Sequence, residues 1–323
     1  MQRQDLRIVY MGTPDFAVLP LKRLVEAGFR VVGVVTNPDK PAGRGQQLQE
    51  SAVKQYARQA GLPVLQPEKF RDERFLQELA AWKADIQLVV AFKMLPEVVW
   101  SMPRLGTVNL HASLLPDYRG AAPINWAVMN GERVSGVSTF LLKHEIDTGN
   151  IIFQEKVNIG EEMTAGELHD ELMARGAELL QKTVEAIASG DYPLVDQSVL
   201  LQGREAIHAP KIFKEDMKID WRASLDTIYN HVRGLSPFPA AWAELRHRES
   251  GQCVTFKVFK TLKIAEVHTH PAGEISTDGR TVFDVYVAGG RLRILELQLS
   301  GKKRMPVEDF LRGFRLEDYI LNE

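Results

Sequence analysis

The stretch NLHASLLPDYRGAAPIN, residues 109–125, sets Asn109 and His111 two positions apart with apolar Val108 and Leu110 as neighbours. In an extended chain alternate side chains share a face, so the amide and the imidazole point the same way. Downstream, EIDTG at 145–149 adds Asp147 in a turn that Gly149 makes possible. An amine attacking a carbonyl needs a donor for the growing oxyanion, which an Asn amide supplies, and a group that manages protons, which a His supplies. A carboxylate can fix the imidazole and hold its charge. With no nucleophilic Ser or Cys required, the set suits direct acyl transfer between two bound substrates. The same residue types also fit a capped sheet rim, a structural histidine and a turn-capping aspartate. D-T-G is in addition a local signature of aspartic proteases, but their mechanism needs two carboxylates sharing a proton, and the triplet occurs once here.

Apolar, β-branched runs at 6–12, 30–36, 63–67, 85–92 and 106–112 alternate with helical patterns such as 16–28 and 50–61, each closed by Gly. Strand alternating with helix predicts an α/β fold with a parallel, doubly wound sheet and ligands at the carboxyl ends of the strands. Asn109 and His111 then sit on the ligand-binding rim. The turn after the first strand, GTPDF, is not G-x-G-x-x-G, which disfavours a dinucleotide-dependent dehydrogenase; Pro14 near a helix start explains it more simply. A long amphipathic helix is expected from Thr164 to Ser189, and residues 191–210 read as a connecting segment. From Trp242 onward short strands separated by Gly and Pro predict a second domain, a small β-barrel.

At 323 residues, 45% hydrophobic and 25% charged, the chain is of a length for about two globular domains. The opening MQRQDLRIVYMG has no long apolar core or small-residue cleavage site, and no apolar stretch reaches bilayer length, so neither a signal peptide nor membrane attachment is expected. Cys253 is the sole cysteine, which excludes internal disulfides and thiolate clusters and fits the reducing cytoplasm. The net charge of −2 is no signature of a nucleic-acid binder, yet residues 201–323 hold 19 Lys and Arg against 17 Asp and Glu, and the remainder 21 against 25. The basic turn GKKRMP, with Lys302, Lys303 and Arg304, belongs to that excess, which could steer a phosphate backbone or form a solvated sheet face.

The run N-x-H-x-S-L-L-P-x-x-x-G at 109–120, followed by D-T-G, resembles the formyltransferase family that uses 10-formyltetrahydrofolate. GTPDFA, TNPDKPAGRG, RGAAPI, KIDW and PFPAAW extend the likeness over most of the chain, toward members acting on initiator Met-tRNA. The resemblance implies a Rossmann-like catalytic domain at 1–190, a linker at 191–210 and an OB-like, tRNA-binding domain at 211–323. It also implies formylation of the methionine amine, with 10-formyltetrahydrofolate as formyl donor, no metal, and a cytoplasmic monomer. By the same likeness Asn109 would hold the formyl oxygen, His111 would stabilise the tetrahedral intermediate and assist proton transfer, and Asp147 would orient His111 or relay through water. Ser113, Leu114, Leu115 and Pro116 match the stretch that meets the folate. Phe92, Lys93, Met94 and Leu95 correspond to the wall against which the pterin lies, where many relatives read A-Y-G instead. The long loop 37–51, with Lys40 and Arg44, would grip the acceptor end of the tRNA.

Three other readings compete. A sugar-nucleotide formyltransferase would share the N-x-H and D-T-G chemistry. A formyltetrahydrofolate deformylase would use water as nucleophile and should carry a regulatory domain ahead of the catalytic one, and none fits before Leu6. A non-catalytic tRNA-binding protein would not need Asn109, His111 and Asp147 together.

Overall fold

A computed structural model describes residues 5–42 and 47–322, which divide into two compact units. The first comprises residues up to Gly120, Val134–Asn158 and His169–Ala209; the second comprises Ala121–Arg133, Ile159–Leu168 and the chain from Pro210 onward. The split does not simply follow the chain, because residues 121–133 and 159–168 join the second unit.

In the first unit one sheet carries, in spatial order, Ile151–Asn158, Val134–Leu141, Thr107–His111, Ile86–Val90, Arg7–Gly12, Arg30–Val35 and Val64–Leu65. The last five pair in parallel, while Val134–Leu141 runs antiparallel to both of its neighbours. Parallel strands need crossovers, and amphipathic helices supply them: Val18–Glu26, Ala52–Gln59 and Glu73–Ala81. Ser51 and Asp72 start the latter two by accepting the Lys54 and Phe75 amides at their N-termini. Against one face of the sheet Phe75, Leu79, Leu95 and Val99 pack on Val9, Met11, Val35 and Val89. The helix Ala165–Ser189 supports the site strand: Gly176 lies so close to Leu110 that a Cβ there would stand 2.9 Å from its methyl group.

The loop expected at 37–51 is instead built as a small hairpin. Lys40–Ala42 pairs antiparallel with Gln47–Gln49, and Gln66 donates to the Asn37 carbonyl and the Asp39 carboxylate at its base, both at 2.8 Å. Three-residue strands are too short to show alternation, and the sequence Pro41, Gly43, Gly45 reads as loop.

In the second unit the antiparallel sheet runs Ile275–Thr277, Phe283–Val287, Gly290–Leu299, Cys253–Ala265, Ala241–His247 and Tyr319–Asn322, with Met305–Pro306 added to Gly290–Leu299. Its core of Phe256, Val258, Phe283, Val285, Leu292, Ile294 and Leu297 is covered by the helix Leu225–Leu235 through Ile228, Val232 and Leu235. This is the small β-domain expected from the short, turn-punctuated strands. No helix among the described residues is long and apolar enough to cross a membrane.

Candidate active site

The strand Thr107–His111 is held on both edges, parallel to Ile86–Val90 and antiparallel to Val134–Leu141. Asn109 stands opposite Val89 and Phe140, and His111 opposite Ser138. The ladder therefore fixes the backbone from which both polar side chains project. The half-buried Asn109 amide has no hydrogen-bond partner among the described residues, which leaves its N–H groups available to a ligand.

His111 is buried, and its Nε2 lies 2.8 Å from the Tyr118 carbonyl oxygen. A carbonyl only accepts, so Nε2 carries the hydrogen and Nδ1 is the nitrogen that can take up or release a proton. Nδ1 faces the Asp147 carboxylate, with Oδ2 at 3.9 Å. That separation is too long for a hydrogen bond but close enough for the carboxylate charge to act on an imidazolium. Asp147 Oδ2 also accepts the Gly120 N–H at 3.0 Å. The ring is thus oriented by a main-chain carbonyl, and the carboxylate addresses its other nitrogen.

Tyr118 is a residue that the sequence pattern did not single out. It has φ 60°, a conformation uncommon outside glycine, and its own N–H donates to the Ile207 carbonyl at 2.6 Å. Asp147 shares this left-handed conformation at φ 55°, where Asp and Asn are better tolerated than most residues. Gly149 is needed for a different reason from the expected one: a Cβ there would lie 1.6 Å from the Leu141 carbonyl oxygen. Close approach of two backbones, not a positive φ, demands glycine.

The segment 113–116 is locked from beneath. Ser113 Oγ donates to the Asp117 carbonyl at 2.7 Å; Ser138 Oγ donates to the Ser113 carbonyl at 2.6 Å and accepts the Leu115 N–H at 3.0 Å. Gln154 Nε2 closes the set on the Leu115 carbonyl and Ser138 Oγ. Ser113, Leu115 and Pro116 are buried, Leu115 against Phe140 and Ile151, which leaves half-buried Leu114 as the side chain with surface to offer. In the neighbouring segment Leu95 is buried and Phe92 packs on the same core, whereas Lys93 and Met94 are exposed. Lys93 Nζ sits 5.7 Å from the Phe70 ring centroid.

Among the residues expected to meet nucleic acid, Lys40 is exposed in the hairpin and Arg44 lies outside the described residues. Lys302 and Lys303 are exposed and without an ion-pair partner among the described residues. Arg304 is engaged: its Nε donates to Glu296 at 2.6 Å and its guanidinium lies 4.4 Å from the Phe259 ring centroid. Among the described residues no three His, Cys, Asp or Glu side chains are arranged to hold a metal ion.

Two family descriptions match the chain: Formyl transferase over residues 6–184, and Formyl transferase, C-terminal domain, over residues 211–315. The chain is 55% identical over 323 residues to a methionyl-tRNA formyltransferase of Bacteroides thetaiotaomicron, covering 100% of both chains. It is 56% identical over 317 residues to the enzyme of the same name from Parabacteroides distasonis, covering 98% of each. Among solved structures, WlaRD, a sugar 3N-formyl transferase crystallised with dTDP and 5-N-formyl-THF, shares the fold at TM-score 0.64 and 18% identity, over 92% of this chain and 99% of that one. HypX from Aquifex aeolicus in complex with tetrahydrofolic acid aligns at TM-score 0.62 and 17% identity, over 98% of this chain and 51% of that one.

Proposed function

The chain belongs to the formyl transferase family, and from that premise we propose that it transfers the formyl group of 10-formyltetrahydrofolate to the amino group of methionine on initiator Met-tRNA, giving formyl-Met-tRNA for translation initiation. The observation that carries the chemistry is the Asn109 amide, partnerless among the described residues, on the strand face that ends in His111. The acceptor rests on relatives named methionyl-tRNA formyltransferase that match both domains from end to end. Likeness to the sugar-acting enzymes at 18% identity supports the fold alone.

As the methionine amine bonds to the formyl carbon, negative charge grows on the formyl oxygen, where the Asn109 N–H groups donate. The attacking amine must shed a proton. His111 receives it at Nδ1, since Nε2–H is committed to the Tyr118 carbonyl, and the Asp147 charge steadies the resulting imidazolium. The same Nδ1 returns the proton to the departing folate nitrogen. The folate is proposed to lie along 92–95 and 113–116, where Leu114, Lys93 and Met94 have accessible surface and Phe92, Leu95, Ser113, Leu115 and Pro116 keep the wall rigid.

Residues 1–190 are proposed as the catalytic domain and 211–323 as the tRNA-binding domain. Lys40, Arg44, Lys302 and Lys303 would meet tRNA phosphates, with Arg304 shaping its turn through Glu296. A cytoplasmic monomer completes the proposal. Acceptor competition tests it: with 10-formyltetrahydrofolate and equal concentrations of Met-charged initiator tRNA and an amino-sugar nucleotide, the formyl group should appear on methionine. Transfer to the sugar alone would reverse the assignment of acceptor.

A further inference from the structure

We propose that Gln197 is a positioning residue for this reaction, clamping the Asp147 turn so that its carboxylate stays opposite His111. The inference rests on the formyl-transfer reading of the site. Gln197 begins the short helix Gln197–Leu201 and is 1% exposed. Its Nε2 donates to the carbonyls of Asp147 and Gly149, each at 2.8 Å. Its Oε1 accepts from Arg119 Nε at 3.1 Å and from a terminal nitrogen of the same guanidinium at 2.6 Å. Carbonyls only accept and a guanidinium only donates, so the amide has a single workable orientation and its full hydrogen-bonding capacity is used.

Both ends of this bridge lead to His111. Asp147 has φ 55°, a conformation that persists when its surroundings over-determine it, and Gln197 grips the carbonyls of residues 147 and 149 while the Gly120 N–H holds the carboxylate. On the other side Arg119 follows Tyr118, whose carbonyl orients the imidazole. Gln197 therefore couples the turn that presents the carboxylate to the turn that sets the ring. Val195 pins the approach to the helix through paired backbone hydrogen bonds with Ile151, both at 2.9 Å. Gln197 meets neither the reacting atoms nor a surface open to substrate, so its effect should fall on turnover and not on binding.

Gln197→Met keeps length and volume without hydrogen bonds, and Gln197→Glu keeps the acceptor for Arg119 while removing both donors to the turn. In formyl transfer to Met-tRNA each variant should lower kcat about 10- to 100-fold, with both KM values within about threefold of wild type, because misplacement of a reacting group acts on the rate. In an Asp147→Asn background Gln197→Met should lower kcat no further, since two residues acting through one group are not additive. Wild-type kcat in both Gln197 variants, even with lowered melting temperatures, overturns the clamp. So does an equal loss from Gln197→Met with and without the Asp147 carboxylate, the mark of a residue that contributes stability alone. Full activity of Asp147→Asn by itself would instead reject the role given to Asp147, a failure visible before any Gln197 variant is measured.

Discussion

An imidazole whose Nε2–H is committed to a main-chain carbonyl exchanges protons through Nδ1, and here that atom looks onto Asp147. Removing the carboxylate charge should therefore weaken proton handling without disturbing the ring. Asn occupies the left-handed region as readily as Asp, so Asp147→Asn should fold normally. Its kcat is expected to fall about 100-fold or more, by analogy with loss of one preorganised electrostatic group. Steady-state kinetics alongside a melting curve check this, and an active Asp147→Asn enzyme would reduce Asp147 to a turn residue. Asn109, His111 and Asp147 were legible as candidates because side-chain type announces hydrogen-bond donors, bases and carboxylates, and strand alternation places the first two on one face. Tyr118 was not legible, because it acts through a carbonyl that every residue possesses. Gln197 was hidden in the same way: a single buried polar side chain leaves no periodic trace.

Strands and long helices were readable where burial imposes a period on the side chains. The parallel strands and the long helix Ala165–Ser189 lie within a few residues of their expected limits. The hairpin in 37–51 and the helix Gln197–Leu201 in the expected connector are too short for that signal. The helix Leu225–Leu235 carries a consequence for stability. Burial of His231 pushes its pKa below the ordinary value of about 6.5, against a hydrogen bond to the Met217 main chain, and its Nε2 is buried without a partner. The unfolded chain then binds a proton more readily than the folded one, so this contribution is intact above pH of about 6.5 and is lost as pH falls through that value toward the depressed one. Melting temperatures measured from about pH 7.5 to about pH 5 should decline less steeply for His231→Gln than for wild type. Parallel curves would show that His231 does not titrate on unfolding.

The molecule as a whole is nearly neutral, yet its proposed partner is a polyanion, so affinity must come from local charge rather than the total. Lys302 and Lys303 are exposed and free of ion pairs among the described residues, whereas Arg304 spends its charge on Glu296. Replacing both lysines by Ala should raise KM for Met-tRNA and flatten its logarithmic salt dependence by about 0.7 to 0.9 for each phosphate no longer neutralised, with KM for the formyl donor unchanged. An unaltered salt slope would make that turn a solvated sheet edge. Chemistry and acceptor meet in one experiment: single-turnover transfer from 10-formyltetrahydrofolate, labelled in its formyl group, to Met-charged initiator tRNA, by the wild-type chain and by Asn109→Ala. The label should arrive on the methionine amine, and about 100- to 1,000-fold more slowly in the variant with folate binding intact, as expected for loss of an oxyanion donor. Label that stays on the folate with the wild-type chain, or reaches methionine equally fast without the Asn109 amide, would contradict the account.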